Sequence, residues 1–245
     1  MTPTGYGGLA LVGVVASWIN VVAGGGSFLT LPLLIFLGLP PTLANGTNRV
    51  GILAQNVSAV LGFRKHGVLD QYWGLRAALP ASLGALIGTW IALSVGDDSM
   101  RRLLATLMLV AALGTLFGTQ LPHPSSEARP RQFLFMLSFF GIGVYGGFIQ
   151  AGAGFLILAV TTLAGFDLVR GNAIKVLCVL VFTPLALALF ASQGQVDWKA
   201  GLALGVGGAV GGQFGVRFTI RRGQQTVQRV VQVAIAICAV WLWFG

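Results

Sequence analysis

Long apolar runs follow one another from one end of this chain to the other, and almost no charge falls inside them. They occupy roughly 6–22, 27–37, 45–63, 72–95, 100–118, 133–150, 154–164, 171–191, 198–218 and 226–244. A helix that crosses the hydrocarbon core of a bilayer needs about 20 residues, and most of the runs reach or approach that length. Only 9% of the 245 residues are charged, against about 25% in a soluble domain. A water-soluble particle of this size could not be coated with so few charges, and the deficit extends along the whole chain. The expected class is therefore all-α, a polytopic transmembrane helical bundle in the cell membrane, with the lipid bilayer as solvent.

Two runs are too short to cross, 27–37 and 154–164, and they hold corresponding places. Each follows a glycine-rich break, Ala23-Gly24-Gly25-Gly26 in one case and Ala151-Gly152-Ala153-Gly154 in the other. The correspondence continues at an offset of 126 or 127: Arg49 maps to Lys175, Gly67 to Gly194, Asp70 to Asp197, Gly74 to Gly201, Gly84 to Gly211, Gly88 to Gly215 and Arg102 to Arg229. Glycines match by chance in a glycine-rich chain, but rare aspartates and cations at one spacing do not. The reading is a duplication: a first transmembrane repeat over 1–118, a polar linker over 119–132 and a second repeat over 133–245.

Loop charges assign opposite orientations to the two halves. After the third run the loop is basic (Arg64, Lys65), and the next carries Asp97 and Asp98 against Arg101 and Arg102. In the second half the order reverses: 192–197 has no cation, and Arg221 and Arg222 follow, flanked by Arg217 and Arg229. Equivalent loops of opposite charge are what inverted-topology repeats with broken, Gly-interrupted helices should show. The linker, with Arg129 and Arg131, then falls in the cytoplasm and both termini outside.

Several function classes lose support. The acidic residues are Asp70, Asp97, Asp98, Glu127, Asp167 and Asp197, and all lie in or beside loops, as do His66 and His123. A proton or cation pathway normally uses carboxylates or histidines at membrane depth, and an intramembrane protease needs a carboxylate pair, a metal cluster or a serine–histidine pair there. No enzyme, metal or cofactor is expected. Cys178 and Cys238 sit in apolar runs without zinc or redox spacing. The net charge of +9 is dispersed between runs, so it marks topology and not nucleic acid. The N-terminus lacks a cationic stretch and a cleavage signal and is expected to be retained.

Four cations lie within runs. Arg76 and Arg217 stand near basic loops and map to uncharged residues (Ala203, Trp90), so they read as snorkelling side chains. Arg49 and Lys175 are repeat mates, each in the first turns of the run after a broken pair. Either they are interfacial snorkelers matched by ancestry, or they flank one anion site; the second reading is preferred, because charges inside spans usually face a cavity. Helix N-termini after the breaks present free amides to an anion (Gly25, Gly26, Gly152, Gly154), with Ser27 able to cap the first, unless the glycines form a packing seam. Asn45, Thr47, Asn48 and Asn172 would either orient oxyanion oxygens or cap their own helices. Asn20 and Gln150 stand just before the breaks, where an amide satisfies freed backbone or touches a ligand. Gln55, Asn56 and Gln213 read as interhelical partners, Ser58 and Ser82 as packing groups, Pro32 and Pro184 as kinks, and Trp73, Trp198, Trp241 and Trp243 as interface anchors.

The stretch from Trp18 through Asn20, the three glycines, Ser27 and Pro32 to Leu34 resembles the opening of the TauE/SafE family, the sulfite exporters. So does Gly46-Thr47-Asn48-Arg49, and a second copy recurs around Gly152-Ala153-Gly154-Phe155 and Asn172-Ala173-Ile174-Lys175. The resemblance implies a multi-pass permease for sulfite, organosulfonates or related small organic acids. The expectation is a secondary transporter of a small anion, working by alternating access at a midplane cationic site. An anion channel or conductive pore is the alternative. An inside-negative potential would assist anion export by about 2.3 kcal/mol per charge per 100 mV.

Overall fold

The computed structural model describes the backbone of residues 3–116 and 132–244 and the side chains of residues 5–107 and 132–221. Most of the linker at 119–132, with His123, Glu127, Arg129 and Arg131, lies outside the described residues, as do the side chains of Arg222, Arg229, Cys238, Trp241 and Trp243. Among the described residues nine helices follow in order: α1 (Pro3–Val22), α2 (Ser27–Phe36), α3 (Pro41–Lys65), α4 (Gln71–Ser94), α5 (Asp97–Leu116), α6 (Gln132–Phe148), α7 (Ala153–Leu163), α8 (Leu168–Ser192) and α9 (Trp198–Phe244). Among the described residues there is no strand.

Local chemistry sets the helix ends. Glycines in the left-handed region close α2 (Gly38, φ 92°), α3 (Gly67, φ 69°), α7 (Gly165, φ 88°) and α8 (Gly194, φ 68°), a conformation that a Cβ disfavours. Asp70, Asp167 and Asp197 cap α4, α8 and α9 by accepting from backbone amides of the first turn. Asp97 and Asp98 open α5, and Asp97 also accepts from the Thr42 amide. The described carboxylates are therefore all engaged at helix N-termini, where their charge complements the dipole.

Glycine lets the helices approach backbone to backbone. Along the α4–α6 contact a Cβ on Gly84 or Gly88 would overlap the carbonyl oxygens of Phe140 or Val144. Along α1–α9 a Cβ on Gly211 would overlap that of Val14, and one on Gly215 would press on Val21 and the Trp18 carbonyl. The two seams correspond under the offset of 126 or 127. Around them α3 packs against α8 and α9, and α4 against α8. Exchanging α1 with α6, α2 with α7, α3 with α8 and α4 with the start of α9 turns each of these contacts into another member of the set. Outward-facing Leu79, Leu83, Trp90, Leu202, Val206 and Phe214 leave apolar surface for lipid. Helices α1, α4 and α8 carry apolar stretches long enough to cross a membrane, while α2, α6 and α7 are apolar but short.

One expectation is corrected. The runs at 198–218 and 226–244, read as separate spans with Arg221 and Arg222 in the loop between them, belong to one 47-residue helix. At 1.5 Å per residue it is about 70 Å long, more than twice the hydrocarbon thickness. The first half breaks at the matching place because Val95 is extended and Gly96-Asp97-Asp98 follow. The second half offers Arg221-Arg222-Gly223-Gln224-Gln225 there, mostly good helix formers with a single glycine.

Candidate functional site

The two glycine breaks meet. Phe28 of α2 and Phe155 of α7 stack with ring centroids 6.4 Å apart and planes at 20°. Each ring rests on the opposite break: a Cβ on Gly25 would lie 2.6 Å from the Phe155 ring, and one on Gly152 2.8 Å from that of Phe28. Those two contacts are mates at offset 127. Gly154 is pressed against Gly24, and Gly26 against the Ala16 carbonyl and Asn20. The breaks are thus a packing seam, as one of the two readings had it. Their amides remain open as well: those of Gly25, Gly26, Ser27, Gly152 and Gly154 have no hydrogen-bond acceptor among the described residues. Left-handed backbone occurs at Gly24 (φ 103°) and Gly152 (φ 76°), and also at Gln150 (φ 64°). For a residue with a Cβ that conformation costs about 1–2 kcal/mol.

The two cations stand on either side of this meeting point, both buried (Arg49 0% exposed, Lys175 3%). Arg49 of α3 donates to the carbonyls of Gly146 and Gly147 in the last turn of α6, and through Nη1 to Gln150 Oε1 at 3.0 Å. Lys175 of α8 donates to the carbonyls of Asn20 (2.9 Å) and Val21 (2.8 Å) in the last turn of α1, and to Asn172 Oδ1. Asn20 and Val21 map to Gly146 and Gly147 at the same offset of 126 that relates Arg49 to Lys175. Arg49 thus caps the end of α6 and Lys175 the end of α1, where orphan carbonyls carry the negative end of the dipole. Among the described residues neither cation has a carboxylate partner, and the ion pair there joins Arg170 and Asp70.

A small cavity of about 20 Å³, room for about one water, opens beside the seam, lined by Asn20, Ser27, Gln55, Asn56, Gln150 and Lys175, with Ile52, Ala153, Gly154 and Val179 as its apolar part. A second cavity, of about 10 Å³, shares Asn20, Ser27, Ile52 and Gln55 with it and extends toward Ser17, Gly26, Thr30 and Asn48. Neither space approaches the roughly 300–1,000 Å³ of a small-molecule pocket, so an occupant larger than water needs the lining to part; that lining offers neutral donors, one ammonium and no carboxylate.

Of the residues expected at the site, Lys175, Asn20, Gln150, Ser27 and Gly154 line the larger cavity, and Gly26 and Asn48 the smaller. Asn48 also ties α3 to α2, accepting from Thr30 Oγ1 at 2.6 Å. Arg49 lies behind Gln150 and reaches the cavity through it. Asn172 holds Lys175 and donates to the Leu168 carbonyl, so it positions the ammonium. Thr47 is elsewhere: its hydroxyl accepts from the Asp197 amide at the start of α9. Gly25 and Gly152 lie beneath the aromatic rings. Arg76 stacks over Tyr72 at 4.3 Å, in keeping with a snorkelling side chain. Sequence reasoning undervalued Gln55 and Asn56 and passed over Ser17 and Thr30. The signal lay in the spacing Asn48, Ile52, Gln55, Asn56, which puts these side chains on one face of α3.

Comparison with known proteins agrees along nearly the whole chain. The family model described as sulfite exporter TauE/SafE matches residues 9–242. A probable membrane transporter protein of Haemophilus influenzae is 32% identical over 92% of this chain and 89% of its own length. One from a Sinorhizobium species is 30% identical over 94% and 90%, and YfcA of Escherichia coli K12, also a probable membrane transporter protein, is 28% identical over 100% and 91%. No solved structure matches.

Proposed function

The chain belongs to the TauE/SafE family of multi-pass membrane transporters, and from that premise we propose that it carries a small anion through the cavity beside the two breaks. One observation supports this above the others: two buried cations without a carboxylate partner flank a polar cavity. A buried charge is expensive unless it is compensated, and helix-end carbonyls supply only partial charge. An anion 4 Å from the ammonium would gain about 4 kcal/mol at an effective dielectric of 20, roughly a thousandfold in affinity. Ser27, Asn56 and Gln150, with the open amides of Gly26 and Gly154, offer hydrogen bonds of the sort an oxyanion accepts.

The substrate class is sulfite, an organosulfonate or a related small organic acid. The halves are inverted repeats that rock about the seam, giving alternating access. Reciprocal capping supports this mechanism, since each cation binds the opposite half and any relative movement must pass through those contacts. A thermal-shift panel of sulfite, sulfate, methanesulfonate and acetate on the purified protein tests the reading. A ligand at 100 times its Kd stabilises the folded state by about 2.7 kcal/mol, so at least one of these anions raises Tm by several degrees. No shift with any of them at saturating concentration contradicts it.

A further inference from the structure

We infer that Gln150 is the group through which Arg49 acts on the bound anion, with Arg49 and Thr183 serving as its positioning residues; the inference rests on the transport reading above. Gln150 is the non-glycine residue with positive φ among the described residues. Its repeat mate at offset 126 is Gly24, which takes the same left-handed backbone with the residue that conformation favours. The turn therefore needs no side chain at this position, and the glutamine is there for what its side chain does. That side chain is 5% exposed and lines the larger cavity. Its Oε1 accepts from Arg49, and its Nε2 donates to Thr183 Oγ1 at 3.1 Å.

The chemistry of the partners fixes which way the amide faces. A guanidinium can only donate, so Oε1 must turn toward Arg49 and the NH2 group away from it. One N–H of that group goes to Thr183, and the other has no acceptor among the described residues. Flipped, the amide would offer the cavity a carbonyl oxygen, which an anion avoids. Held by Arg49, it offers a donor. Capping Arg49 does not account for the glutamine by itself, because Lys175 performs the mirrored task with no side chain at position 24, and Arg49 already has two helix-end carbonyls.

The test uses the full chain in nanodiscs, titrated with sulfite, methanesulfonate and acetate and followed by thermal shift. Gln150→Gly suits the left-handed backbone, so the variant folds and melts within a few degrees of wild type. It binds the anion that wild type binds about 10-fold more weakly, the worth of one charge-assisted hydrogen bond. Gln150→Glu pairs with Arg49 and folds, but it sets a carboxylate at the cavity and weakens binding by about 100-fold or more. Thr183→Val weakens it severalfold without touching a charge. Arg49→Lys alone weakens binding severalfold, yet combined with Gln150→Gly it binds no more weakly than Gln150→Gly alone, a non-additivity that a merely structural arginine would not give. Wild-type affinity in Gln150→Gly, or additive losses in the double variant, overturns the inference and leaves the transport reading standing. A wild type that responds to none of the three anions overturns both.

Discussion

The Arg49 and Lys175 ends of the molecule perform one task with different residues. Arg49 caps the end of α6 and Lys175 the end of α1, on carbonyls related by the same offset. Lys175 has three protons and three acceptors, so nothing is left over, and it lines the cavity directly. Arg49 has five donors, of which Nε stays unpartnered, and its plane lies over Phe190 at 4.8 Å. It stands one residue behind the cavity and works through Gln150. The lesson is that two places related by one offset share a backbone solution, a cation on a helix end, while the side chains differ: Lys175 brings its charge to the cavity and Arg49 holds Gln150.

The largest expected effect breaks the comparison at its charged end. Lys175→Met removes the ammonium from the cavity lining, and anion affinity in a titration falls by about 100-fold or more. A loss confined to Tm would make the lysine a strut only. Exchanging the two residue types comes next. Arg49→Lys still supplies donors for the two carbonyls and folds, whereas Lys175→Arg forces a larger group into a fully occupied site and costs about 1–3 kcal/mol of stability. Equal losses in thermal melts would erase the distinction between a spacious end and a saturated one.

The two breaks offer a smaller contrast. Gly25→Ala and Gly152→Ala both push a methyl against an aromatic ring, but Gly152 is also left-handed. Gly152→Ala is therefore the more destabilising by about 1 kcal/mol, read from paired Tm values. Smallest is Thr47→Val, which deletes one hydrogen bond to the Asp197 amide at about 1 kcal/mol and leaves anion affinity unchanged. A fall in affinity would return Thr47 to the site.

Much of this was legible because the offset of 126 or 127 runs through residues that local physics constrains. Gly67 and Gly194 must be left-handed at helix ends, Asp70 and Asp197 cap the following helices, and Gly84 and Gly211 sit where helices touch. Rare residue types at one spacing therefore singled out Arg49 and Lys175. What the cations touch was hidden, since a carbonyl partner carries no residue-type signature: Gly146 and Asn20 serve equally well. Thr47 was misjudged because its neighbours Asn48 and Arg49 face other partners, and successive helical positions point in different directions. The uninterrupted α9 escaped notice because two basic residues between apolar runs read as a loop, while Arg and Gln are also good helix formers.

Uptake of labelled sulfite and methanesulfonate into proteoliposomes at a clamped membrane potential tests the central claim most directly. Wild type should give saturable, potential-dependent uptake of at least one of them, with Lys175→Met reduced to the level of empty vesicles. Uptake by wild type no greater than in empty vesicles, or undiminished uptake in Lys175→Met, would contradict it.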